Sequence, residues 1–450
     1  MTTGATSFAR SKTRSAHTDS SSRMTFDTSA ADRSTVAISR RPASVGDRRR
    51  EALERLYGGN RPARKAAGLR SVTPKDNGRI GFWDVQRGPA PAAYYVIGVV
   101  VAMFVMLGLV MVLSASAGVE AAKGNSPYQI FTRQVTWAAI GLVGMIVAMR
   151  INLVWLKRLA IPLTIFAGLA MLLPFVPGVG TTVNDARAWV AFGSFTLQPS
   201  EFLKVALVVF CADLLVRRHD QLSNVRRSLR PVMVVAALAG LGCLVQGDLG
   251  SAIVMAAIVL AVAFIAGVPL SPMLATGLVT AAAALAFVFS TEYRYQRFTA
   301  FLDITGHRDH LSYQTYQGFL SIAHGGLTGS GVGAGNGKLG YLPLAHSDFI
   351  FAVIADELGL VGSVAVIGGF MLIVWFGIQS ALSAPDRFSM LLAGGVTTWI
   401  GVQAVINLGG VTGLMPVTGL TLPFFSAGGS SLFVSMVAAG LLLNVARRAR

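Results

Sequence analysis

About ten long, uninterrupted apolar runs dominate this sequence. A transmembrane helix needs about 20 consecutive apolar residues, and 53% of the 450 residues are hydrophobic while only 13% are charged. The apolar residues form continuous runs rather than amphipathic stripes, a pattern typical of membrane helices. We therefore predict an all-α polytopic membrane protein with about ten transmembrane helices, over residues 93–116, 132–150, 156–177, 200–216, 231–247, 249–268, 270–290, 349–378, 387–409 and 430–446.

The basic residues between these runs predict the orientation of the chain. If the amino terminus is cytoplasmic, every short basic loop falls on the cytoplasmic side, as is usual in membrane proteins. An even number of spans then returns the carboxyl terminus to the cytoplasm, and residues 291–347, between spans 7 and 8, form a large extracytoplasmic loop. The inner basic residues are Arg150, Lys157, Arg158, Arg217, Arg218, Arg226, Arg227, Arg230, Arg387, Arg447, Arg448 and Arg450.

Residues 1–92 have a different composition. They carry 18 Lys and Arg against 8 Asp and Glu, with few large apolar residues. Too little apolar surface is present to form a core, so we predict a disordered basic cytoplasmic tail followed by a transmembrane domain at 93–450. The charge is typical of nucleic-acid binding too, but beside a first membrane span a topogenic tail attracted to anionic lipid is the simpler interpretation. No nucleic-acid partner is expected.

Acidic residues interrupt the apolar segment LPLAHSDFIFAVIADELGLVG. An ionised carboxylate in hydrocarbon costs about 2.5 to 3.5 kcal/mol even on the lenient insertion scale, so Asp348, Asp356 and Glu357 require a bundle interior, a wet cavity or a function. Asp348 follows His346 and Ser347 at the predicted start of span eight. Either it caps free N–H groups of that helix or it is a reactive carboxylate at the membrane surface.

Two pairs of polar residues occur near spans three and four. Arg187 and Trp189 lie in a loop at the predicted outer interface. Glu201 and Lys204 follow at the mouth of span four, and their spacing of three residues allows the side chains to meet on one helix face. Such a pair neutralises both charges where water is scarce, as a structural ion pair or as part of a cavity.

Two further pairs lie later in the chain. Gln246 and Asp248 flank a glycine, which is typical of a broken helix whose polar groups line a cavity. Arg294 and Arg297 occur among aromatic residues in the predicted outer loop. Arginines there either anchor the chain at the lipid interface or grip a diphosphate group through bidentate hydrogen bonds.

The glycine-rich run GLTGSGVGAGNGKLG contains Lys338 and is similar to a phosphate-binding loop. Val332 stands where the GxxxxGK pattern needs its first glycine, so we interpret the run as a flexible or close-packed loop. Neither the six histidines nor Cys211 and Cys243 have the spacing of a structural zinc site, and no metal site is predicted.

Five motifs in fixed order carry a resemblance to a known family: NDARAWVAFGSFTLQPSEFLK, QGDLGSA, RYQRFTAFLD, YQTYQGFLSIAHGGLTGSGVGAGNGKLGYLPLAHSDFIFAVIADELGLVG and NLGGVTGLMPVTGLTLPFFSAGGSSL. They resemble the SEDS family of FtsW and RodA over essentially all of 93–446. The segments MVLSASA and FFSAGGSS are more similar to the division members, FtsW, than to the elongation members, RodA. Asp185, Gly247 and Ile304 depart from the family pattern at turns, and Asp356 replaces a Glu with the charge retained.

The resemblance implies a peptidoglycan glycosyltransferase. Such an enzyme polymerises lipid II, an undecaprenyl-diphosphate-linked disaccharide peptide, at the outer face of the bacterial cytoplasmic membrane during septal cell-wall synthesis. The implied partners are a class B penicillin-binding transpeptidase and other divisome proteins, and the implied location is the division septum. No cofactor is certain from the family pattern, and a divalent cation remains open.

The resemblance and the chemistry of the reaction together suggest roles for individual residues. Asp348 stands at the family's essential acidic position, which suits a general base for the acceptor hydroxyl. Cationic groups would stabilise the departing diphosphate. The expected substrate-binding residues are Arg187, Trp189, Arg294, Arg297, Lys338, His346 and Ser347, and the expected structural or cavity-lining residues are Glu201, Lys204, Gln246, Asp248, Asp356 and Glu357.

Other functions remain open on the sequence. Ten spans with intramembrane charges also describe a transporter, here a lipid II flippase. A flippase needs its key polar residues near the middle of the membrane, whereas Asp348, Arg294 and Arg297 are expected at the outer face. A RodA-like elongation polymerase is a further alternative, as is an inactive scaffold for the transpeptidase, against which an intact Asp348 argues.

Overall fold

The computed structural model describes residue 83 and residues 89–449, except 184–185, 194, 223, 225–228, 308, 310 and 336–341. The predicted tail at 1–92 thus lies almost entirely outside the described residues. The described residues form twelve α-helices: α1 Ala92–Ala122, α2 Gln129–Arg150, α3 Leu153–Ala170, α4 Pro199–Arg217, α5 Leu229–Val245, α6 Leu249–Ala266, α7 Leu270–Phe289, α8 Glu292–Leu302, α9 Tyr313–Gly325, α10 Ile350–Leu382, α11 Arg387–Val411 and α12 Gly429–Arg448.

Ten of these helices correspond to the ten predicted spans. Within the described residues, eight are long and apolar enough to cross a membrane: α1, α2, α3 with the short turn that follows it, α6, α7, α10, α11 and α12. The other two are α4, which carries several charged side chains, and α5, which has 17 residues. The all-α polytopic architecture predicted from the apolar runs is confirmed.

Successive spanning helices run in opposite directions and define two ends of the bundle. The terminal end holds the start of α1 and the end of α12, and the other end, called the hairpin end, holds residues 171–198 and 290–349. Helices α2 and α12 both run toward the terminal end, where Asn444 Nδ2 donates to the carbonyl oxygens of Ala148 and Ile151. The described basic residues predicted to be cytoplasmic all lie at or near the terminal end.

Helices α11 and α12 form the centre of the bundle. In the most apolar 18-residue stretch of each, 78% and 83% of the residues are buried, whereas only 6% are buried in the corresponding stretch of α7. Small residues allow close helix packing, as is common in membrane bundles: a Cβ added at Gly440 of α12 would lie 2.4 Å from the Met145 carbonyl oxygen of α2. Helix α7 stands apart from this core.

A three-stranded antiparallel sheet lies between α3 and α4, a feature that the all-α prediction missed. Its strands are β1 Gly180–Val183, β2 Ala186–Phe192 and β3 Phe195–Leu197. Trp189 of β2 pairs with Thr181 of β1, and Ala191 pairs with Thr196 of β3. The strands are too short to produce a clear alternating pattern in the sequence.

Two segments also differ in detail from the sequence prediction. The loop at 291–347 contains the helices α8 and α9. Helix α10 extends four residues past its predicted end at 378 and is interrupted at Gly359, whose φ of 66° and ψ of −160° are not helical. The predicted break around Gln246 is confirmed, because α5 ends at Val245 and α6 begins at Leu249.

Candidate functional site

Asp348 lies at the hairpin end, immediately before α10. The residue at the amino-terminal cap of α10 is Phe349, and no side chain caps this helix. Asp348 therefore does not perform the capping role that its position in the sequence suggested. Its Oδ1 accepts a hydrogen bond of 2.8 Å from the Ser347 hydroxyl, which leaves the second carboxylate oxygen for other contacts.

The backbone around Asp348 is held by the segment 412–428 and by α11. The carbonyl oxygens of residues 346–348 accept hydrogen bonds, in order, from the backbone N–H of Ala427 at 2.8 Å, the hydroxyl of Ser426 at 2.7 Å and Nδ2 of Asn407 at 2.9 Å. Three successive carbonyl groups are thus fixed in place.

Backbone strain is concentrated in the same two segments. Among the described residues, Leu344, with φ 51°, and Phe424, with φ 69°, are the non-glycine residues with positive φ. Leu344 precedes His346 by two residues, and Phe424 lies in the segment that bonds to residues 346–348. Non-glycine residues persist in this conformation only where their surroundings enforce it, and they cluster at functional sites.

The Asp348 carboxyl group has an unusual electrostatic environment. Burial raises the pKa of Asp348 above its ordinary value, although the hydrogen bond from Ser347 and the positive charge of Arg297 act in the opposite direction. Burial also lowers the pKa of the neighbouring His346, with Lys123 contributing. A carboxylate with a raised pKa is a stronger base than an ordinary surface aspartate.

A cavity of about 2080 Å³ lies between α6, α7, α10 and α11. Its lining is mostly apolar and includes Leu260, Phe264, Leu285, Trp375 and Val405. Because α7 stands apart from the core, the cavity is a long groove rather than a closed chamber. Its chemistry suits a hydrocarbon chain.

Two arginines and the segment after α11 connect this cavity with Asp348. Arg294 and Arg297 of α8 both line the cavity, as does Thr418. The next residue, Gly419, lies beside the carboxylate, since a Cβ placed there would be 3.7 Å from Asp348 Oδ2. Asp348 itself is not one of the lining residues, but it lies next to this wall of the cavity.

The other predicted substrate-binding residues differ in where they lie and what they contact. Arg294 donates to the Ser290 hydroxyl at 3.0 Å and stacks over the Phe287 ring. Arg187 of β2 is exposed and donates through Nε to the Pro174 carbonyl at 3.1 Å. Trp189 is half-buried in the sheet. Lys338 lies outside the described residues.

Glu201 and Lys204 meet as their spacing predicts, near the start of α4, where both side chains are buried. Their side chains are 3% and 0% exposed, and Lys204 Nζ lies 2.9 Å from Glu201 Oε1. Lys204 also donates to Gln403 Oε1 at 2.9 Å and faces the Trp399 ring. The pair joins α4 to α11 just below the hairpin end.

Gln246 and Asp248 secure the break between α5 and α6. Gln246 Nε2 donates to the Met171 carbonyl at 2.7 Å. Asp248 caps α6 by accepting from the backbone N–H of Ser251 at 2.9 Å, and it also accepts from Gln198 Nε2 at 2.8 Å. Of the three residues at the break, it is Gly247 that lines the cavity.

Asp356 and Glu357 are both 1% exposed and face a closely packed loop. Asp356 Oδ1 lies 2.7 Å from His324 Nδ1, and Glu357 accepts from the Ser114 hydroxyl at 2.5 Å and from the backbone N–H of Gly333 at 3.0 Å. The described part of the glycine-rich run, residues 326–335, is thus closely packed against α10. No group of three or more His, Cys, Asp or Glu side chains suited to a metal ion occurs in the described part of the chain.

The sequence analysis missed two amides of α11. Gln403 and Asn407 are buried and hydrogen-bonded to the segment that faces Asp348. The sequence offered one signal: both are uncharged polar side chains in an otherwise apolar span. Such side chains usually form hydrogen bonds inside the bundle.

Comparisons with known proteins identify the family of this chain. The sequence model of the family FTSW_RODA_SPOVE, described as "Cell cycle protein", matches residues 94–450. A protein of Geobacter sp. (strain M18) named "Probable peptidoglycan glycosyltransferase FtsW" is 40% identical over 344 residues, covering 76% of this chain and 94% of that protein.

Solved structures give the same result. A chain in a peptidoglycan synthase complex that coordinates polymerization and crosslinking matches with a TM-score of 0.65 and 30% identity, covering 78% of this chain and 97% of that one. The rod shape determining protein RodA of Thermus thermophilus matches with a TM-score of 0.58 and 30% identity, covering 79% and 97%. The chain therefore belongs to the FtsW, RodA and SpoVE family, the SEDS family, and within it the chain is FtsW-like.

Proposed function

We propose that this chain polymerises lipid II into glycan strands at the outer face of the bacterial cytoplasmic membrane, with Asp348 as the general base. As a member of the FtsW-like group, the chain is a peptidoglycan glycosyltransferase. The observation that carries the assignment to Asp348 is its position. It is a partly buried, non-capping carboxylate beside a large apolar cavity lined by two arginines.

The reaction joins an acceptor hydroxyl to a sugar carried on a polyprenyl diphosphate. Asp348 takes the proton of the acceptor hydroxyl while the new carbon–oxygen bond forms and the bond to the diphosphate breaks. Arg294 and Arg297 then stabilise the charge on the departing diphosphate. Attack that inverts the anomeric centre needs no covalent sugar intermediate, so one essential carboxylate is sufficient.

The remaining predicted residues have supporting roles in this proposal. The apolar cavity holds the polyprenyl chain of the donor, next to the arginines. Ser347 and His346 border the carboxylate, and Lys338 is a third candidate cation. Arg187 and Trp189 shape the nearby hairpin, and their contacts with the protein suit a supporting wall better than a diphosphate grip.

A lipid II flippase fits these observations less well. Transport requires a polar path accessible from both sides of the membrane. Here the cavity lining is mainly apolar, and the buried carboxylates Asp356 and Glu357 are covered by His324 and the glycine-rich loop. The arginines and Asp348 lie together at one end of the bundle.

The relative in a complex with a crosslinking activity supports a partner for this chain. We infer a class B penicillin-binding transpeptidase as that partner, acting with other divisome proteins at the division septum. Both termini would face the cytoplasm, as the basic residues at the terminal end suggest.

Reconstitution tests the proposal. The full chain, purified with its transpeptidase and inserted into vesicles, is incubated with labelled lipid II under conditions that block crosslinking. We expect a ladder of glycan strands. Movement of lipid II between leaflets without any polymer would contradict the proposal and favour the flippase.

A further inference from the structure

The Asn407 side chain bridges two segments at the candidate site. It is 5% exposed, and its Nδ2 donates to the carbonyl oxygen of Asp348 at 2.9 Å and to that of Leu420 at 2.7 Å. Two carbonyl oxygens at this distance identify the nitrogen end of the amide, since only that end can donate. Both hydrogens of the amide are used.

One turn earlier on α11, Gln403 performs a similar task. Its Nε2 donates to the Thr421 carbonyl at 2.9 Å, while its Oε1 accepts from Lys204 Nζ and from Trp399 Nε1. Gln403 is therefore fixed by a buried cation and a buried indole. The two amides together hold consecutive carbonyl groups of the segment after α11.

That segment forms the wall nearest the carboxylate. Gly419 directly precedes the residues held by the two amides, has a φ of +73° and lies beside Asp348 Oδ2. One side chain, Asn407, thus bonds both the backbone that carries the carboxylate and the wall that faces it. Loss of this link frees the two to move relative to one another.

We propose that Asn407 is a positioning residue that sets the distance between the Asp348 carboxylate and the wall at residues 418–421, where the acceptor hydroxyl must enter. This inference rests on the proposed role of Asp348. Misplacement of a reacting group by about 1 Å can reduce a rate by about 10²-fold. The cavity that holds the donor is lined mainly by α6, α7, α10 and α11, and of the wall at 418–421 only Thr418 lines it, so we expect donor binding to change much less than the reaction rate when Asn407 is changed.

The chain contains a matched control for this residue. Asn444 is 1% exposed, and its Nδ2 also donates to two backbone carbonyl oxygens, those of Ala148 at 2.9 Å and Ile151 at 2.8 Å. In both residues the Oδ1 atom has no hydrogen-bond partner among the described residues. Asn444 lies at the terminal end, far from Asp348. Asn444→Ala therefore removes two equivalent hydrogen bonds without changing the candidate site.

The test compares Asn407→Ala, Asn407→Asp and Asn444→Ala in the full chain with its transpeptidase. We expect both Asn407 variants to lower kcat for lipid II polymerisation by about tenfold or more, because positioning is lost, and to change KM by much less. Asn444→Ala should retain wild-type kcat. Turnover is counted per folded molecule, determined by size-exclusion chromatography in detergent.

The outcomes separate this inference from the proposed function. Equal kcat values for Asn407→Ala and Asn444→Ala, with Asp348→Asn inactive, would overturn the inference alone. Activity in Asp348→Asn would overturn the proposed function. Aggregation of both Asn407 variants, with Asn444→Ala folded, would also overturn the inference, because Asn407 would then act in folding rather than in positioning.

Discussion

At the scale of single residues, three carboxylates that are close in the sequence have different surroundings. Asp356 and Glu357 are buried against His324, Ser114 and the glycine-rich loop. Asp348 has one hydroxyl partner and stands beside an apolar cavity. The cost of a buried charge marks all three in the sequence, and the family resemblance singles out Asp348; in the structure Asp348 lies beside Gly419 and the cavity wall, whereas the other two carboxylates are covered.

The Ser347 hydrogen bond gives a prediction about pH. Ser347 lowers the pKa of Asp348 against the effect of burial, so Ser347→Ala should raise that pKa further. A base works only when deprotonated, so activity is lost as the pH falls through a higher value. The acid limb of the pH profile of kcat/KM should therefore move to higher pH.

Ser389→Ala is the control for this measurement. Its hydroxyl donates to Asp386 at 2.7 Å, the same kind of bond at the opposite end of the bundle. This variant should leave the acid limb where it is in the wild type. An acid limb that stays in place in Ser347→Ala, or moves to lower pH, would count against Asp348 as the titrating base.

Some residue positions could be predicted and others could not. The spacing of Glu201 and Lys204 predicts their contact because residues three apart share a helix face. Asn407 gives no such signal, because its partners are backbone carbonyl groups of Asp348 and Leu420 that approach only in the folded chain. The sequence contains no pattern for such a contact.

At the scale of elements, the glycine-rich loop packs directly against the break in α10, and the two form one contact, called the loop–helix joint. The backbone N–H groups of Ser330 and Gly331 donate to the carbonyl oxygens of Asp356 and Glu357, at 2.9 and 3.0 Å. A Cβ added at Gly329 would lie 2.2 Å from the Glu357 carbonyl oxygen. The loop needs glycine there because the two backbones are in contact.

The loop–helix joint predicts that Gly329→Ala destabilises the protein more than Gly333→Ala does. Both glycines have positive φ, 81° and 82°. A residue with a Cβ is strained in this left-handed conformation, so each variant should lose about 1 to 2 kcal/mol of folding stability. Gly333 has open space around it, whereas Gly329→Ala must displace the loop. Two lost backbone hydrogen bonds then cost a further 2 kcal/mol or so, at about 1 kcal/mol each.

Thermal unfolding of the two variants in detergent measures the difference. Equal unfolding temperatures would show that the loop does not depend on contact with α10.

The spans could be predicted from the apolar runs alone, whereas the sheet at 180–197 could not. Its strands of three to seven residues are too short to give a clear period.

At the scale of the whole molecule, the account depends on orientation. The described basic residues predicted to be cytoplasmic lie at the terminal end, and Asp348 with Arg294 and Arg297 lies at the hairpin end. Positive loops stay in the cytoplasm, so the hairpin end should face outward, where lipid II is polymerised. The order of spans predicts this separation, but not which helices surround the cavity, because that depends on helix packing.

Cysteine labelling of intact cells tests the orientation. Cys211 and Cys243 are both buried and are replaced by Ala. Leu414→Cys, at a position 79% exposed at the hairpin end, should react with an impermeant maleimide, and Asp220→Cys, at the terminal end, should react only after the membrane is opened. The reverse pattern would place the site on the wrong side for glycan synthesis.

The most direct test of the central claim compares lipid II polymerisation by Asp348→Asn and by Asp386→Asn. Asp386 caps α11 through the backbone N–H groups of Phe388 and Ser389, and Asn caps a helix about as well as Asp, so its variant should retain most of its stability and its activity. Asp348→Asn keeps the size of the side chain but cannot accept a proton. It should fold, bind its transpeptidase and polymerise at least about 10²-fold more slowly than the wild type. Polymerisation by Asp348→Asn at the wild-type rate would contradict the account.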